Sequence, residues 1–316
     1  MPYTNVTTRA DAAALIQESM STIMLPQLRA QSAALTMFRN INVPSSQTRF
    51  PVLSALPSAY FVTGDTGQKQ TTEMAWDNKY LNIEELAAIV PIPDNVLFDN
   101  YLNVEQDILP YVRDAMVRLL DAAIFFGTSA PASWPDDITT AATAAGNDYA
   151  AGTATVAEGG IAEDINQLIA LLIADGYAPT GFIANPGVQT LLRSARGSDG
   201  QLLTDVNGGV NNIWGLPTSY PMPGQWPSGA SVAQLFALQR ENFIIGVRQD
   251  FTVTASNTAV IQDNTGAITF NAFQQDMTLF RVVFRVGWQV ANPINYTQTV
   301  EANRYPAAVL TTASGG

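Results

Sequence analysis

The chain of 316 residues contains neither cysteine nor histidine. Without cysteine there can be no disulfide, no thiolate nucleophile and no cysteine-ligated metal. Without histidine there can be no Ser-His-Asp triad, no imidazole acid or base and no histidine metal ligand. The two absences remove most of the common catalytic and metal-binding classes, although they do not fix the cellular compartment.

Charged residues are scarce as well, at 13% of the chain, whereas 47% of the residues are hydrophobic. Soluble chains usually carry about a quarter charged residues. The low share favours a surface that is covered by other subunits, though a secreted polar protein could show the same composition. The net charge of −12 and the pI near 4.3 argue against a broad nucleic-acid-binding surface.

Long apolar runs and catalytic motifs are also missing. No run approaches the roughly 18 residues needed to span a bilayer, and the first residues lack the charge and hydropathy pattern of a signal peptide. No GxSxG, Walker-A or GxGxxG motif is present. Asp136-Asp137 and the segment Asp205–Gly208 are better explained as turns than as a carboxylate pair or a calcium loop. We therefore expect no enzymatic activity, no cofactor, no metal and no membrane partner, in a chain made in the cytosol.

A long amphipathic helix is predicted between Asn103 and Gly127, which can end it because glycine takes positive φ freely. Pro110 leaves two options: the helix begins there, or it is kinked there. A stripe at steps of three and four predicts the core-facing side. The stripe consists of Ile108, Val112, Ala115, Leu119 and Ala122.

An extended β-hairpin is predicted from Thr48 to Ile92, with its polar turn around Asp65. Pro51 and Pro57 keep its first arm out of the centre of a sheet. A two-stranded ribbon is marginal alone, so the hairpin needs a neighbour. Residues 1 to about 45 begin polar and become weakly helical without a clean apolar stripe, which is typical of an arm that packs elsewhere.

The rest of the chain is predicted to form a loop, an α/β module and a long strand. Thr128–Gly160 is rich in Ala, Thr and Gly, which predicts a surface loop or an insertion rather than core. Residues 161–270 show α/β character, with a helical stripe from Ile161 to Leu172 and a helix from Asn185-Pro186 to Gly197. Met277–Val290 alternates as the cleanest strand, with one apolar face and one mixed face.

Several segments match a known family in collinear order. They are Phe50-Pro51-Val52, Val90–Asp99, the helix ending FFG, Ile183–Pro186, the stretch from Leu191, Trp214–Pro217, the run from Arg240, and Met277–Pro293. With the order arm, hairpin, long helix, α/β module and returning strand, the chain resembles the major capsid proteins of tailed bacteriophages with the Hong Kong 97-type fold.

This resemblance implies an α+β capsid fold in four parts. They are an N-terminal arm (1–45), an E-loop hairpin (46–92), a peripheral domain with a long spine helix (93–155 and 271–316) and an axial domain (156–270). It implies self-assembly as hexamers and pentamers into an icosahedral shell around double-stranded DNA, which an acidic wall would not bind tightly. We predict inter-subunit contacts at Asp65, Lys69, Trp76, Trp214, Arg281 and Arg285.

The alternative is a cellular encapsulin-like nanocompartment, which shares the fold and encloses enzymes. The longer chain with an insertion favours the phage capsid, and the packaged cargo would discriminate between them. The triangulation number, the host and the presence of decoration proteins are left open.

The resemblance also bears on covalent linkage and on assembly partners. Some family members join a hairpin lysine to an asparagine, assisted by a glutamate. Lys69 lies in the corresponding loop, but Asp276 and Val283 occupy the other two positions. An ionised aspartate is a poor acyl partner and valine cannot act as a base, so we expect a shell held by non-covalent contacts. Because Met1 begins directly on the arm, we also expect a separate scaffolding protein, with a portal, to take part in assembly.

Overall fold

The structure, a computed structural model of the chain, describes residues 32–62, 67–99, 104–196, 201, 212–221, 226, 232–263 and 265–312. Most of the predicted arm, the hairpin turn with Asp65, and the Asp205–Gly208 segment lie outside the described residues.

Helices and strands are mixed along the described chain. The helices are α1 (Ala33–Met37), α2 (Asp94–Asp99), α3 (Val104–Phe126), α4 (Ile138–Ala144), α5 (Ile161–Ala174), α6 (Pro186–Ser194) and α7 (Ala272–Gln275). The strands are β1 (Arg39–Asn42), β2 (Gln47–Ala55), β3 (Ala75–Asn82), β4 (Glu84–Pro93), β5 (Asp148–Ala150), β6 (Gly181–Ala184), β7 (Asn212–Ile213), β8 (Leu216–Ser219), β9 (Ala233–Leu238), β10 (Phe243–Ser256), β11 (Val260–Gln262), β12 (Ile268–Asn271), β13 (Met277–Val290) and β14 (Ala307–Thr311).

The long strand β13 has the bounds that its alternation predicts. It lies inside a four-stranded sheet of order β1-β10-β13-β4, in which β1 runs parallel to β10 and the other pairs are antiparallel. The predicted apolar face, from Phe280 to Val290 at every second residue, is buried throughout. This sheet and α3 form one side of the largest core cluster.

Helix α3 runs through Pro110, so the option that it begins there is wrong. The missing N–H of Pro110 costs one hydrogen bond of the helical ladder without ending the helix. Gly127 takes φ +66° after the last turn, and its N–H donates to the Ala123 carbonyl at 3.2 Å. Ser129, two residues further on, also has positive φ, as the chain turns away from the helix.

The face on which α3 packs differs from the predicted one. Ala115 and Leu119 of the predicted stripe are exposed, whereas Met116, Leu120 and Ala123 are buried. The buried stripe lies one residue further along, a rotation of about 100° around the helix. Two apolar stripes share this helix, and helical periodicity alone does not say which of them meets the core.

The segment Thr128–Gly160 is not a surface loop, contrary to the prediction. It forms α4, whose Ile138 and Ala142 are fully buried. It also forms β5, an edge strand parallel to β14. Asp137 caps α4 by accepting a hydrogen bond from the Thr140 N–H at 3.0 Å. Small alanines let α4 pack closely on β14, which is why the segment has few large apolar residues.

A six-stranded sheet of order β5-β14-β9-β6-β8-β7 forms the second half of the fold. Leu235 and Ala237 of β9 face α5 and α6, and Phe236 and Leu238 face the core shared with α3. The predicted stripe of α5 is confirmed in its centre. Its buried members are Ile165, Leu168 and Leu172.

Two neighbouring elements of this sheet depart from the sequence expectation. Helix α6 starts as predicted, with the Asn185 side chain accepting from the Gly187 N–H at 2.9 Å, but it ends at Ser194 before Gly197. Strand β14 was not predicted, and it lies in the sheet between β5 and β9. Residues 307–311 therefore belong to the six-stranded sheet and not to the four-stranded one.

The predicted hairpin is present, but its returning arm is divided. Strands β2 and β3 pair antiparallel with each other as a two-stranded sheet. After Ile83 the chain changes partner, and β4 pairs with β13 in the four-stranded sheet. The single arm expected up to Ile92 is therefore two strands in two sheets.

Candidate inter-subunit surfaces

The hairpin of β2 and β3 exposes large apolar side chains. Trp76 is 61% exposed, and Phe61 is fully exposed. The set, here called the hairpin apolar surface, comprises Tyr60, Phe61, Val62, Met74, Trp76 and Tyr80. Exposed apolar patches of this kind mark interaction sites in soluble proteins.

The base of the hairpin is tied to the segment that follows β13. The Ile294 N–H donates to the Leu53 carbonyl at 3.1 Å. The Lys79 ammonium lies 2.6 Å from the Glu301 carboxylate. The Gln289 side chain donates to the Tyr80 carbonyl at 2.7 Å. These contacts hold the hairpin at a defined angle to the four-stranded sheet.

The crossing of the hairpin over that sheet requires glycine at 287. A Cβ on Gly287 would lie 2.1 Å from the Asn82 carbonyl oxygen. A Cβ on the neighbouring Gly246 would lie 2.8 Å from Leu81 and Val43 methyl groups. The backbone of β3 therefore touches the sheet directly, and Leu81 is fully buried at the crossing.

The segment under the hairpin is organised by a buried arginine. Arg304 is 4% exposed. Its guanidinium donates to three backbone carbonyls, those of Asn292 at 3.1 Å, Pro293 at 3.1 Å and Thr299 at 2.9 Å. One side chain thus closes the loop between β13 and β14, and the hairpin rests on that loop.

A second buried charge joins α1 to α3. Asp121 of α3 accepts from the Ser32 hydroxyl at 2.6 Å, the Ala33 N–H at 2.8 Å and the Ala34 N–H at 3.4 Å. Burial raises the pKa of this carboxyl to about 6, although the three hydrogen bonds act in the opposite direction. The start of α1 is therefore fixed to the long helix.

The predicted contact residues fall on three separate surfaces. Asp65 lies outside the described residues, while Lys69 and Trp76 are exposed on the hairpin. Arg281 is exposed on the mixed face of β13. Arg285 on the same face pairs with Glu85 of β4, its Nη2 lying 2.8 Å from Oε2.

Trp214 forms the third of these surfaces. It lies at the turn between β7 and β8, is 54% exposed and takes φ +48°. This turn is at the β7 end of the six-stranded sheet, whereas the two arginines belong to the four-stranded sheet.

Asp276 and Val283 occupy the positions that the resemblance aligns with the cross-link of some family members. Asp276 is exposed, takes φ +47° before β13, and its carbonyl accepts from the Asp94 N–H at 2.8 Å. Val283 is buried within β13.

Among the described residues there is no group of three or more Asp or Glu side chains that could hold a metal. None of the helices in the described part of the chain is long and apolar enough to cross a membrane.

One exposed surface was missed because its residues were assigned to the core. An open groove of about 390 Å³ runs between α3 and β4. Strand β4 contributes Leu86, Ala88 and Val90. Helix α3 contributes Ile108, Val112, Ala115 and Leu119, together with Tyr111. We call this surface the α3 groove. The sequence signal was the predicted stripe itself, of which Ala115 and Leu119 are exposed while Ile108 and Val112 are half-buried.

These surfaces and the two-sheet fold are those of a subunit that assembles with other subunits into a shell. The chain belongs to the phage capsid family, whose model matches residues 12–296. A comparison with curated protein sequences finds no match.

Solved structures agree over nearly the whole chain. A structure from Microbacterium phage Oxtober96 is 31% identical with a TM-score of 0.84, covering 98% of this chain and 100% of that one. One from Mycobacterium phage Bobi is 27% identical with the same TM-score and the same coverage. The capsid of a native GTA particle, computed with C5 symmetry, shares the fold at 18% identity and a TM-score of 0.73, covering 98% and 100%.

The chain is thus a major capsid protein of a bacteriophage, and the resemblance drawn from the sequence is confirmed. The mixed helix and sheet fold of phage capsids is confirmed with it. The nanocompartment alternative is not favoured, because the chain belongs to the phage capsid family and the Microbacterium and Mycobacterium structures come from phages.

Proposed function

We propose that this capsid protein closes an icosahedral shell of hexamers and pentamers around double-stranded DNA. The hairpin apolar surface carries the proposal. Its aromatic side chains have no core of their own, and the hairpin base is fixed by hydrogen bonds, so the ribbon is held ready for a neighbouring subunit. Symmetry repeats such a contact around each capsomer.

We assign the parts of the fold in the same terms. We restrict the arm, predicted as residues 1–45, to the residues ahead of α1, because α1 and β1 pack in the main fold. The E-loop is the hairpin of β2 and β3, and α3 is the spine helix. The four-stranded sheet belongs to the peripheral domain and the six-stranded sheet to the axial domain. Because β5 and β14 pair within the six-stranded sheet, we place them with the axial domain rather than within the ranges 93–155 and 271–316. For the same reason β1, β4 and β10 go with the peripheral domain rather than within the ranges 1–45, 46–92 and 156–270.

The contact residues follow from this assignment. Asp65, Lys69 and Trp76 belong to the hairpin and would meet the adjacent subunit of the same capsomer. Arg281 and Arg285 lie on the mixed face of β13 and would receive a neighbouring hairpin. Trp214, at the turn of β7 and β8, would contact the next axial domain. Exposure and the chemistry of aromatic and arginine side chains at interfaces support the roles of Trp76, Trp214 and Arg281.

A charge on the hairpin tests the proposal. Trp76→Glu places a carboxylate on the apolar surface, and under conditions in which the wild type forms shells we expect at least a tenfold loss of shells in negative-stain micrographs. Asn78→Glu is the matched control, since it adds the same charge on the same strand at an exposed polar position. Circular dichroism should show that both variants keep their fold. Normal shell yield from Trp76→Glu would contradict a role of this surface in assembly.

The remaining partners complete the proposal. A separate scaffolding protein and a portal would act during assembly in the host cytoplasm, and the genomic DNA would be enclosed without specific binding. The net charge of −12 supports this loose relation to DNA. Expression with and without the scaffolding protein tests the first point. Uniform shells of the correct size from this chain alone would count against a scaffolding requirement.

A further inference from the structure

The turn between β7 and β8 holds an exposed tryptophan in an unfavourable backbone conformation. Ile213 pairs with Leu216, which leaves Trp214 and Gly215 as a two-residue loop. Both take positive φ, +48° and +79°, and asparagine, aspartate or glycine normally supply the first position of such a loop. For a bulky side chain this φ is an outlier. The Trp214 side chain is 54% exposed, so packing within the described fold offsets little of the strain.

A pocket of about 500 Å³ opens between residues 151–161, which lead into α5, and residues 191–196 at the end of α6. We call it the α5–α6 pocket. Eight of its twelve lining residues are alanine, glycine, isoleucine or leucine. Its volume lies within the roughly 300–1,000 Å³ of small-ligand sites, which are mostly apolar and carry a few polar groups. Leu191 at its α6 side is 43% exposed, so the described residues leave this apolar wall uncovered.

One wall of the pocket is fixed by a buried carboxylate. Asp164 of α5 is fully buried. Its carboxylate accepts from the Gly152 N–H at 2.7 Å and from the Ala154 N–H at 2.9 Å. The segment that leads from β5 to α5 is thereby held against the helix. The pocket is therefore formed in the single subunit, before any partner arrives.

The pocket also contains an acceptor without a donor. Gln234 of β9 contributes to the lining, and its side-chain Oε1 is buried without a hydrogen-bond partner in the described part of the chain. Buried polar atoms are nearly always hydrogen-bonded, so this oxygen calls for a donor from outside the subunit. An indole combines an apolar body with a single N–H donor. A tryptophan side chain therefore matches both the walls and the acceptor.

Trp214 cannot reach the pocket of its own chain. Strand β8 runs parallel to β6 with Thr218 opposite Phe182, so the turn that precedes β8 lies beyond the start of β6. The Gln234 carbonyl accepts from the Asn185 N–H at 2.8 Å, just past the end of β6. The two levels are about six residues apart, which is about 20 Å along the strands. The tryptophan that fills the pocket must therefore come from a second copy.

The two surfaces also lie toward opposite edges of the six-stranded sheet. The turn belongs to the edge strand β7, whereas residues 151–161 follow the other edge strand, β5. A contact between two different surfaces of identical subunits is heterologous, and it closes a ring when the rotation between copies allows. Opposite edges of one sheet suit such a head-to-tail contact.

We propose that Trp214 of one copy inserts into the α5–α6 pocket of the next copy, with its indole N–H donating to Gln234. The inference rests on the proposed assembly into capsomers, and it names the surface that receives the β7–β8 turn. The strain at Trp214 is then offset in the assembly, where the indole is buried.

Thiol protection tests the insertion, because the chain has no cysteine of its own. Ser194 is exposed and lines the pocket, so Ser194→Cys should react readily with a polar maleimide in unassembled subunits. In shells we expect its labelling to be at least tenfold slower. Ile173→Cys is the matched control, since Ile173 is 57% exposed on α5 outside the pocket lining.

Mixed shells show which copy supplies the tryptophan. A reporter chain with Ser194→Cys and Trp214→Ala is assembled together with wild-type chains in different ratios. With wild type in excess, the reporter pocket should be protected by a neighbour's Trp214. Its labelling rate should rise at least tenfold as reporter chains replace wild type. The ratios that still form shells are sufficient, so the test holds even if the Trp214→Ala chain does not assemble alone.

Three results would overturn the proposal. The first is labelling of Ser194→Cys that is as fast in shells as in subunits. The second is protection that persists as reporter chains replace wild type, which would assign the pocket to another occupant. The third is an equal rise when Ile173→Cys replaces Ser194→Cys in the reporter. The shell counts of Trp76→Glu do not enter these comparisons, so failure here and failure of the proposed function are distinguishable.

Discussion

Asp121 shows how one side chain sets the position of an element. It is 5% exposed, yet it offers both carboxylate oxygens to the start of α1. A carboxylate at a helix start satisfies N–H groups that have no partner inside the helix. Burial opposes its charge more strongly than the three hydrogen bonds support it, and its pKa is therefore raised to about 6. Burying the charged form of this carboxyl costs free energy, and the cost depends on pH.

We expect this cost to appear in the pH dependence of unfolding. The pKa of Asp121 in the folded state lies above the ordinary aspartate value of 3.8, so between about pH 4 and pH 6 the folded state binds more protons than the unfolded state. The contribution of Asp121 to the free energy of unfolding is therefore fully present below about pH 4 and is lost as the pH rises through about 6. A shift of about two units corresponds to about 3 kcal/mol.

Urea unfolding of unassembled protein at pH 4, 5, 6 and 7 measures the effect. Relative to Asp121→Asn, the wild type should lose up to about 3 kcal/mol between pH 4 and pH 7. Asp77→Asn, at an exposed position on the hairpin, serves as the control. A constant difference between wild type and Asp121→Asn across this range would show that the residue does not titrate there.

At the scale of elements, Arg304 supports the hairpin through the loop beneath it. Arg304→Met removes the donors of three carbonyls in a buried site, and we expect a loss of about 3 kcal/mol in the free energy of unfolding. Arg281→Met, on the exposed face of β13, should change it by less than about 0.5 kcal/mol. The urea midpoints of the two variants, compared with that of the wild type, measure both losses. If Arg304→Met lost no more stability than Arg281→Met, the three carbonyls would have found other hydrogen-bond donors.

The crossing of hairpin and sheet gives a second element-scale prediction. Gly287→Ala brings a Cβ against the Asn82 carbonyl, which belongs to the backbone and cannot rotate away. We expect a loss of about 3 kcal/mol, at the upper end of overpacking costs. Gly246→Ala meets only side-chain methyl groups, so its cost should be about 1 kcal/mol. Thermal unfolding of both variants provides the comparison, and a Gly287→Ala protein as stable as wild type would disprove the close crossing.

The predictability of each element depended on how unambiguous its pattern was. Strand β13 could be predicted to the residue because every second position from Phe280 to Val290 is apolar and Asn292-Pro293 follows. Helix α3 could be predicted as a helix but not in its orientation, because Ala115 and Met116 begin two apolar stripes of similar quality. Only the packing of Met116 and Leu120 against the sheet distinguishes them, and that is tertiary information.

Other elements lack a local signal altogether. Strand β14 consists of Ala307–Thr311, and its first four residues are buried in a sheet where β5 and β9 flank the strand. Ala142 of α4 is a core residue only because the helix lies close on that strand. The candidate surfaces divide in the same way: the hairpin could be predicted from its turn and prolines, whereas the α3 groove exists only through the position of β4.

At the scale of the whole molecule, the exposed surfaces lie on different parts of the fold. The hairpin apolar surface projects from one side, Arg281 lies on the outer face of the four-stranded sheet, and Trp214 lies at the end of the six-stranded sheet. A subunit in a closed shell has neighbours in several directions, and separated surfaces suit that requirement. The low share of charged residues, 13%, agrees with a surface largely covered in the assembly.

The chemistry of these surfaces leads to the last prediction, a shell without covalent cross-links. An amide bond between Lys69 and an asparagine would release ammonia, but position 276 holds aspartate, whose ionised carboxylate is a poor acyl partner. Val283, at the position of the assisting glutamate, is buried and cannot accept a proton. Shells boiled in detergent should therefore run as a single band of 33.9 kDa.

Lys69→Ala is the control that separates this chemistry from ordinary contacts. It should leave the denaturing gel unchanged, because no covalent bond is lost, while any change in shell yield would report the non-covalent role of the exposed lysine. A ladder of covalent oligomers that disappears in Lys69→Ala would contradict the prediction. Since the shell then depends on contacts alone, its stability must come from apolar and hydrogen-bonded surfaces repeated by symmetry, of which the hairpin is the first candidate.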